Sequence, residues 1–424
     1  MFNKKSVDIA VLGAGPVGLT AAHVLADRGM DFVLLERAPR CHTRSYALGL
    51  HPDTLELLDT LGIAEAVLER AMPLRRTTIF DSETNRQEAA IDYSSLPVKY
   101  PHLTIIGQNE LEDVLVKTLA WKKHLPMWKN RVRCIESRED AVHFTIDRLT
   151  EGMTGYAVAH MEEEIDKVLE YKANYLIAAD GHKSMARQAA SIAFPETEPS
   201  RDYAVFEIQT NVKLLTEMRM MIDGNKTHIY WPLGNGRCRF SFQMPEGFAK
   251  KSSFNKDNEW VDPKAQQSSE LSDLHLDHLL HLHAPWFIGS SKDVKWRVLV
   301  HYETRLAESF GNGRIWLAGD AAHMAPPAGM LSMNVGMLEA ADLAEKLSSE
   351  TSDAGRAFRL DAYNLDRMDE WRGLLDIDQG IHGLDPSADW LIEHRSNLIG
   401  NLPASGQILN DVYQQLHLIQ TAAA

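Results

Sequence analysis

Three separated stretches carry residues whose types and spacing fit one task, holding a large phosphate-bearing ligand. The first is Val7-Asp8-Ile9-Ala10-Val11-Leu12-Gly13-Ala14-Gly15-Pro16-Val17-Gly18, with glycines in the spacing G-x-G-x-x-G. Gly13 permits a tight turn, Gly15 lets backbone approach a pyrophosphate, and Gly18 lets a helix lie close to a strand. Pro16 falls inside that turn, where N–H groups at a helix start meet phosphate charge. A second apolar run, Phe32 to Leu35, ends on Glu36. Its carboxylate suits a ribose hydroxyl pair and would repel a 2′-phosphate. The glycine spacing alone is weak and fits an unliganded strand–turn–helix unit equally well. The flanking strands and the spaced acid turn it into a dinucleotide fingerprint, without separating FAD from NAD.

The second stretch runs from Tyr175 to Arg187, an apolar strand leaving its sheet through Asp180-Gly181, with Ser184 placed to cap a helix. A bare Asp-Gly is a common turn and carries little weight alone. The third runs from Gly313 to Gly336 and contains Gly319-Asp320-Ala321-Ala322-His323 and Pro326-Pro327-Ala328-Gly329. Asp320 at a strand exit can bind a polyol hydroxyl. The two prolines make a stiff wall without N–H groups. A helix predicted from about Leu331 to Leu347 offers unpaired N–H groups and the positive end of its dipole. Such an end favours negative charge by roughly 0.3–1 kcal/mol, and up to about 2 when partly buried. Met330, Met333 and Met337 suit core filling at helical spacing as well as contact with a ligand.

These stretches need elements to position them. Strand, helix, strand over residues 7–35 reads as the start of a parallel sheet. Arg37, Arg40 and Arg44 lie in the polar connection that follows, with Tyr46 beside them. Arg44 is the preferred phosphate-side contact, and Arg37 is either solvated or near the adenine edge. Gln108 opens a helix with apolar positions at 111, 114, 115 and 119, where its amide can face a cofactor or simply cap the helix. Residues 131–146 and 170–176 read as strands, with Glu151–Asp166 a polar hairpin or surface excursion between them. Residues 76–99 and 190–299 hold short β-rich runs with turns such as Asp223-Gly224, an antiparallel sheet inside an α/β chain. Residues 250–272 read as an exposed or partly disordered loop. His275, His278, His281 and His283 fall on a helical segment without the Cys or paired carboxylates of a metal site, so no metal is expected. The domains expected are a discontinuous dinucleotide-binding unit (1–75, 100–189, 300–350), a β-rich substrate unit (76–99, 190–299) and a helical C-terminal region (351–424).

Bulk properties narrow the function. The chain has 424 residues and a formal net charge of −15, which argues against a nucleic-acid partner. Three cysteines, Cys41, Cys134 and Cys238, stand far apart and suggest no disulfide framework. The apolar start is too short to span a bilayer, so no integral membrane segment is expected and the cytoplasm is the default setting. Partners expected are small molecules, in a monomer or homodimer.

Taken together, the N-terminal G-A-G-P-V-G-L with Glu36, the Asp180-Gly181 segment ending at Arg187, and Gly319-Asp320-Ala321-Ala322-His323 with Pro326-Pro327 resemble the FAD-dependent aromatic hydroxylases, the single-component flavoprotein monooxygenases like para-hydroxybenzoate hydroxylase. The resemblance implies an α/β fold, a Rossmann-like FAD domain interleaved with a β-rich substrate domain. It implies that Gly13, Gly15, Pro16 and Gly18 hold the FAD pyrophosphate and Glu36 the adenosine ribose. Arg37, Arg44, Gln108, Asp180, Gly319, Gly329, Met333 and Asn334 would add further cofactor contacts, Asp320 would bind the ribityl chain, and Pro326 and Pro327 would line the flavin's reacting edge. It further implies NADPH or NADH as reductant, O2 as oxidant, a flavin C4a-hydroperoxide, and an aromatic or other electron-rich substrate that attacks its distal oxygen. Tyr46, His228 and Tyr230 are the residue types suited to activating a substrate hydroxyl. An epoxidase or reductase on the same scaffold, or a non-catalytic dinucleotide-binding protein, are the alternatives. A halogenase is disfavoured because no Trp-x-Trp-x-Ile-Pro segment is present. One departure stands out: Met330-Leu331-Ser332 occupies a place where the family carries further glycines, and Glu339 and Asp342 stand where it commonly has Asp and Asn.

Overall fold

The computed structural model describes residues 5–42, 48–154, 160–246, 248, 271–349 and 352–421, so all but the last two residues of the 250–272 loop lie outside the described residues. In chain order the N-terminal half forms β1 (Lys5–Leu12), α1 (Pro16–Asp27), β2 (Phe32–Leu35), α2 (Pro52–Thr60), α3 (Ala64–Leu68), β3 (Met72–Leu74), β4 (Arg76–Asp81), β5 (Arg86–Asp92), β6 (Leu103–Ile105), α4 (Gln108–Trp121), β7 (Asn130–Ser137), β8 (Val142–Thr154) and β9 (His160–Ala178). There follow α5 (Met185–Ala189), β10 (Glu196–Gln209), β11 (Met218–Asp223), β12 (Lys226–Gly234), β13 (Arg237–Gln243), α6 (Asp273–His283) and β14 (Val294–Leu306). The remainder is β15 (Gly311–Asn312), β16 (Ile315–Leu317), β17 (His323–Met324), α7 (Leu331–Ser348), α8 (Asp353–Leu374), β18 (Ile381–Gly383), α9 (Asp389–Glu393), α10 (Arg395–Leu398), α11 (Gly406–Gln415) and β19 (Leu418–Gln420).

Four strands run parallel in the order β16-β9-β1-β2, and the antiparallel β7–β8 hairpin is attached through β9. The last four residues of β1 are buried and apolar, as a strand covered on both faces must be. Helices α1 and α7 lie together against this sheet. Register makes the strand exits level: Leu12 is opposite both Leu35 and Ala178, and Ala178 is opposite Leu317. β8 and β9 run out paired through much of the stretch read from sequence as a polar hairpin or surface excursion, with Glu151 opposite Glu163.

The second sheet has the order β17-β14-β10-β13-β12-β11-β4-β5, antiparallel as expected except where β11 and β4 pair in parallel, joining the 76–99 strands to those of 190–299. Its two faces separate by the period-2 alternation of strands. Tyr203, Val205, Met218, Met220, Ile229, Trp231 and Val298 belong to one core continuous with that of the parallel sheet. Phe206, Tyr230, Phe240 and Phe242 belong to a separate core closed by Leu276, Leu279 and Leu280 of α6. The α/β class, with its mixed sheets and helical C-terminus, is the architecture the motifs imply. β14 crosses the expected boundary at residue 300 without interruption, and β17, expected with the dinucleotide unit, pairs with β14 in the antiparallel sheet. The C-terminal region is not purely helical, because β18 and β19 pair as a small ribbon.

Candidate active site

All four parallel strands end on residues singled out by sequence. Gly13 follows β1, Glu36 follows β2, Asp180 lies two residues beyond β9, and Gly319-Asp320 follow β16. In an open parallel sheet the crevice outside the carboxyl ends is where ligands sit. The glycine turn shows why each glycine is needed. Gly13 has φ +94°, and a Cβ there would lie 2.1 Å from the Ala179 carbonyl oxygen. A Cβ on Gly18 would lie 1.9 Å from the Gly13 oxygen. A Cβ on Gly15 would meet no protein atom within 4 Å, so this glycine keeps space clear for something other than protein. Pro16 is the first residue of α1, and Gly15 its cap. The Glu36 carboxylate accepts from Ala14 N–H at 2.8 Å and Ala38 N–H at 2.7 Å, which holds it against the glycine turn with lone pairs to spare.

Asp180 uses one oxygen to accept N–H groups of Met185 (2.8 Å) and Ala186 (3.3 Å) at the start of α5. Its other oxygen is buried with no partner among the described residues, and burial raises its pKa above the ordinary carboxylate range. An acceptor left in this state suits a ligand hydroxyl. Arg187, expected beside it, turns inward and donates to the Ala321 carbonyl (2.9 Å) and the His182 carbonyl (2.8 Å), tying the Asp180 exit to the Asp320 exit. Gly319 has φ +65°, and Asp320 is exposed at the strand exit, where the density of surrounding protein still raises its pKa.

The loop from Ala325 to Met330 leaves β17 and enters α7. Pro326 is buried and Pro327 half-buried. Ala325 N–H donates to Ser332 Oγ at 3.0 Å. Met330 caps α7 at φ 54°, ψ 22°, a left-handed position that favours glycine. The departure at this position is therefore real in the backbone: the glycine conformation persists with a methionine in it. Ser332 and Met333 are half-buried, whereas Asn334 is buried, and its amide is fully engaged by protein. Asn334 donates to the carbonyls of Gly49 (3.0 Å) and Met330 (2.9 Å) and accepts from His51 N–H (2.8 Å). It locks the start of α7 rather than offering its amide to a ligand. His51 bonds Ser405 (2.8 Å) and the Gly329 carbonyl (2.8 Å), and burial lowers its pKa to about 4.

Arg44 and Tyr46 lie outside the described residues. Arg37 is exposed and lies 3.9 Å from Glu163. Gln108 donates to Glu112 Oε1 at 2.9 Å. Glu112, which the sequence does not single out, is buried and also accepts from the His42 N–H and ring at 2.9 Å. Its interior spacing with the apolar positions of α4 was the available signal. His228 and Tyr230 sit on the face of the antiparallel sheet turned away from the parallel sheet, because even-numbered residues of β12 point to the α6 side. Tyr230 packs on Phe240 and Trp286 and donates to the Leu215 carbonyl, and burial raises its pKa. His228 stacks 3.9 Å from His283. With Asp223 these two histidines bring three ligand-type atoms within 4.8 Å of one another. However, Gln243 N–H donates to His228 Nδ1 (3.1 Å), so the ring proton belongs on Nε2, 3.8 Å from Asp223. A metal on that nitrogen would put two N–H groups face to face, so the group fits a His–Asp pair better than an ion.

The glycine turn, the acids at the strand exits and the start of α7 define a dinucleotide-binding α/β protein with a second sheet joined to the first through the β16–β17 segment. The FAD binding domain family matches residues 6–377, and the chain belongs to that family. Pentachlorophenol 4-monooxygenase of Sphingobium chlorophenolicum is 28% identical over 387 residues, 89% of this chain and 65% of the relative. A 3-(3-hydroxy-phenyl)propionate/3-hydroxycinnamic acid hydroxylase of Mycolicibacterium smegmatis is 24% identical, covering 89% and 61%. The chain thus spans a little under two thirds of the length of these relatives. Among solved structures, a p-nitrophenol 4-monooxygenase from Pseudomonas putida superposes with a TM-score of 0.72 at 20% identity, covering 98% of this chain and all of that one. The anhydrotetracycline hydroxylase from Streptomyces rimosus gives 0.65 at 23%, covering 92% and 70%. These likenesses establish the fold. Among the described residues no helix is long and apolar enough to cross a membrane.

Proposed function

We propose that the chain is an FAD-dependent monooxygenase that takes electrons from NADPH or NADH and inserts one atom of O2 into a phenolic or other electron-rich ring. The observation that carries this is the continuity between the two sheets. β17 pairs with β14 at the edge of the antiparallel sheet, and its next residues are the Pro326-Pro327 wall and the cap of α7. One backbone segment therefore joins the end of the cofactor crevice to the sheet above it, where a substrate must meet a flavin. The names of the pentachlorophenol monooxygenase and the hydroxyphenylpropionate hydroxylase support the same class.

In this reading Gly13, Gly15, Pro16 and Gly18 take the pyrophosphate, Glu36 the adenosine ribose, and Asp180 and Asp320 the remaining hydroxyls. Bound FAD supplies the transfer of electrons to O2 and of one oxygen to the ring. The chain's own part is positional. The N–H groups of residues 331–333 have no partners within α7 and present positive charge to an anionic ring edge. Met218, Met220, Ile229 and Trp231 belong to the buried core that the second sheet shares with the parallel sheet, and an apolar surround of this kind would exclude water, which otherwise diverts reduced flavin into wasteful peroxide formation. Separated cysteines and negative charge support a reducing cytoplasmic setting, as monomer or homodimer.

The test is direct. Purified protein is expected to be yellow, to oxidise NADPH or NADH faster when a suitable phenol is added, and to yield a product heavier by one oxygen labelled from 18O2. Protein that neither carries nor takes up FAD would refute the reading. Product without label would move it to a reductase.

A further inference from the structure

The Gly319–Asp320 turn rests on a buried carboxylate that no ligand contact explains. Glu339, in the interior of α7, is wholly buried, and both its oxygens are used. Oε2 accepts the Gly319 N–H at 2.9 Å and His323 Nε2–H at 2.8 Å, while Oε1 accepts Trp371 Nε1–H at 2.6 Å. Trp371 belongs to α8 and stacks on the His323 ring at 3.7 Å. The same helix reaches the strand before the turn, where Tyr363 donates to the Leu317 carbonyl at 2.8 Å. Burial opposes ionisation of Glu339, but His323 and the other donors outweigh it and hold its pKa below the ordinary value. A buried carboxylate with three donors is costly to remove on one side, because the donors left behind lose their partner as well.

We infer that Glu339 is a positioning residue for the cofactor: it clamps the Gly319 N–H so that Asp320 faces the crevice, and through Trp371 it makes α8 part of the FAD site. The inference rests on Asp320 as a cofactor contact. It explains why the chain keeps a charged group inside α7 beside Gly336, whose missing side chain lets the Gly319 backbone approach: a Cβ on Gly336 would lie 2.7 Å from Gly319 Cα. It also gives Asp320 a second influence. His182 at the Asp180 exit and His323 after β16 favour its ionised form, and Glu339 opposes it. Around Glu339 itself stand Asp342 on α7 and Arg367 and Glu370 on α8.

The test uses the full chain with FAD, comparing wild type, Glu339→Gln and Trp371→Phe. Flavin fluorescence quenching gives the FAD dissociation constant across pH, and circular dichroism and melting report folding. Glu339→Gln turns an amide N–H toward the donors, so FAD affinity is expected to fall roughly tenfold or more. The midpoint of its pH dependence is expected to move to lower pH, because the like charge beside Asp320 has gone. Trp371→Phe keeps the stack on His323 and removes one donor. Affinity is expected to fall about three- to tenfold in a protein that still folds, which keeps the test alive if Glu339→Gln does not fold. Folded variants with wild-type affinity and an unmoved midpoint would overturn the inference while leaving the FAD site intact. Wild-type protein that binds no FAD would overturn the site itself.

Discussion

Gly15 and Gly18 are three residues apart and are glycine for opposite reasons. Gly18 is needed by the fold, since a Cβ would sit 1.9 Å from the Gly13 carbonyl oxygen; Gly15 faces empty space. Gly18→Ala should therefore destabilise the protein itself by about 1–3 kcal/mol through overpacking, read as a lower urea midpoint without ligand. Gly15→Val should cost at most about 1 kcal/mol, the usual effect of a poorer helix cap, yet abolish FAD uptake in a flavin titration. Equal FAD affinity in Gly15→Val would remove the pyrophosphate from this turn. The acids divide similarly. Glu36 is held by two backbone N–H groups, and Asp180 has one oxygen in structural use and one without a protein partner. Each thus serves the scaffold and keeps acceptor capacity that the proposed site would use.

At the scale of elements, the segment entering α7 carries the tension between fold and site. Met330 occupies a left-handed conformation that costs a non-glycine residue about 1–2 kcal/mol. Its side chain is buried, with Sδ 3.1 Å from where a Gly49 Cβ would lie and Ile105 beside it. Removing a buried methionine typically costs about 2–5 kcal/mol, so packing outweighs strain. Met330→Gly is expected to lose roughly 1–3 kcal/mol in equilibrium unfolding rather than gain stability. A gain would mean that the side chain is not packed as described. The C-terminal segment reinforces the same loop. Leu398–Ser405 is buried, and backbone carbonyls of Gly400 and Leu402 close on Gly329. Ser405 bonds His51, and the Pro403 carbonyl accepts from Tyr93. The helical C-terminal region is therefore a structural wall of the site, not an appendage.

For the whole molecule, buried histidines set the response to acid. Burial lowers the pKa of His23 and His51 to about 4, and of His283 to about 4. Each takes up its proton more readily unfolded, near 6.5, than folded. Their contribution to stability is therefore fully present above pH 6.5 and is lost as pH falls from 6.5 toward 4. For His51 alone the loss is about 3 kcal/mol across that window. Melting temperature should fall steadily between pH 7 and 4, and replacing His51 by Gln should flatten part of that slope. A melting temperature constant down to pH 4 would contradict the buried neutral state. Added FAD should raise the melting temperature at every pH by mass action, since it binds only the folded chain.

The cofactor crevice was legible in the sequence because its parts are local. A glycine spacing, an acid at a strand tip and an Asp after an apolar run each act through neighbouring backbone, and parallel pairing then levels the strand ends. The start of α7 was legible for the same reason. Roles that depend on which way a residue faces across the fold were decided only by tertiary structure. His228 and Tyr230 have suitable chemistry, but strand alternation turns them toward α6, while Ile229 and Trp231 between and beside them face the core shared with the parallel sheet. Asn334 lies in a recognisable motif, yet its amide is consumed by Gly49, Met330 and His51. Glu339, Trp371 and Glu112 read as ordinary helix residues until packing buries them against partners far away in the chain. Local backbone chemistry specifies where a cofactor can lie, and only long-range packing decides which side chains surround it.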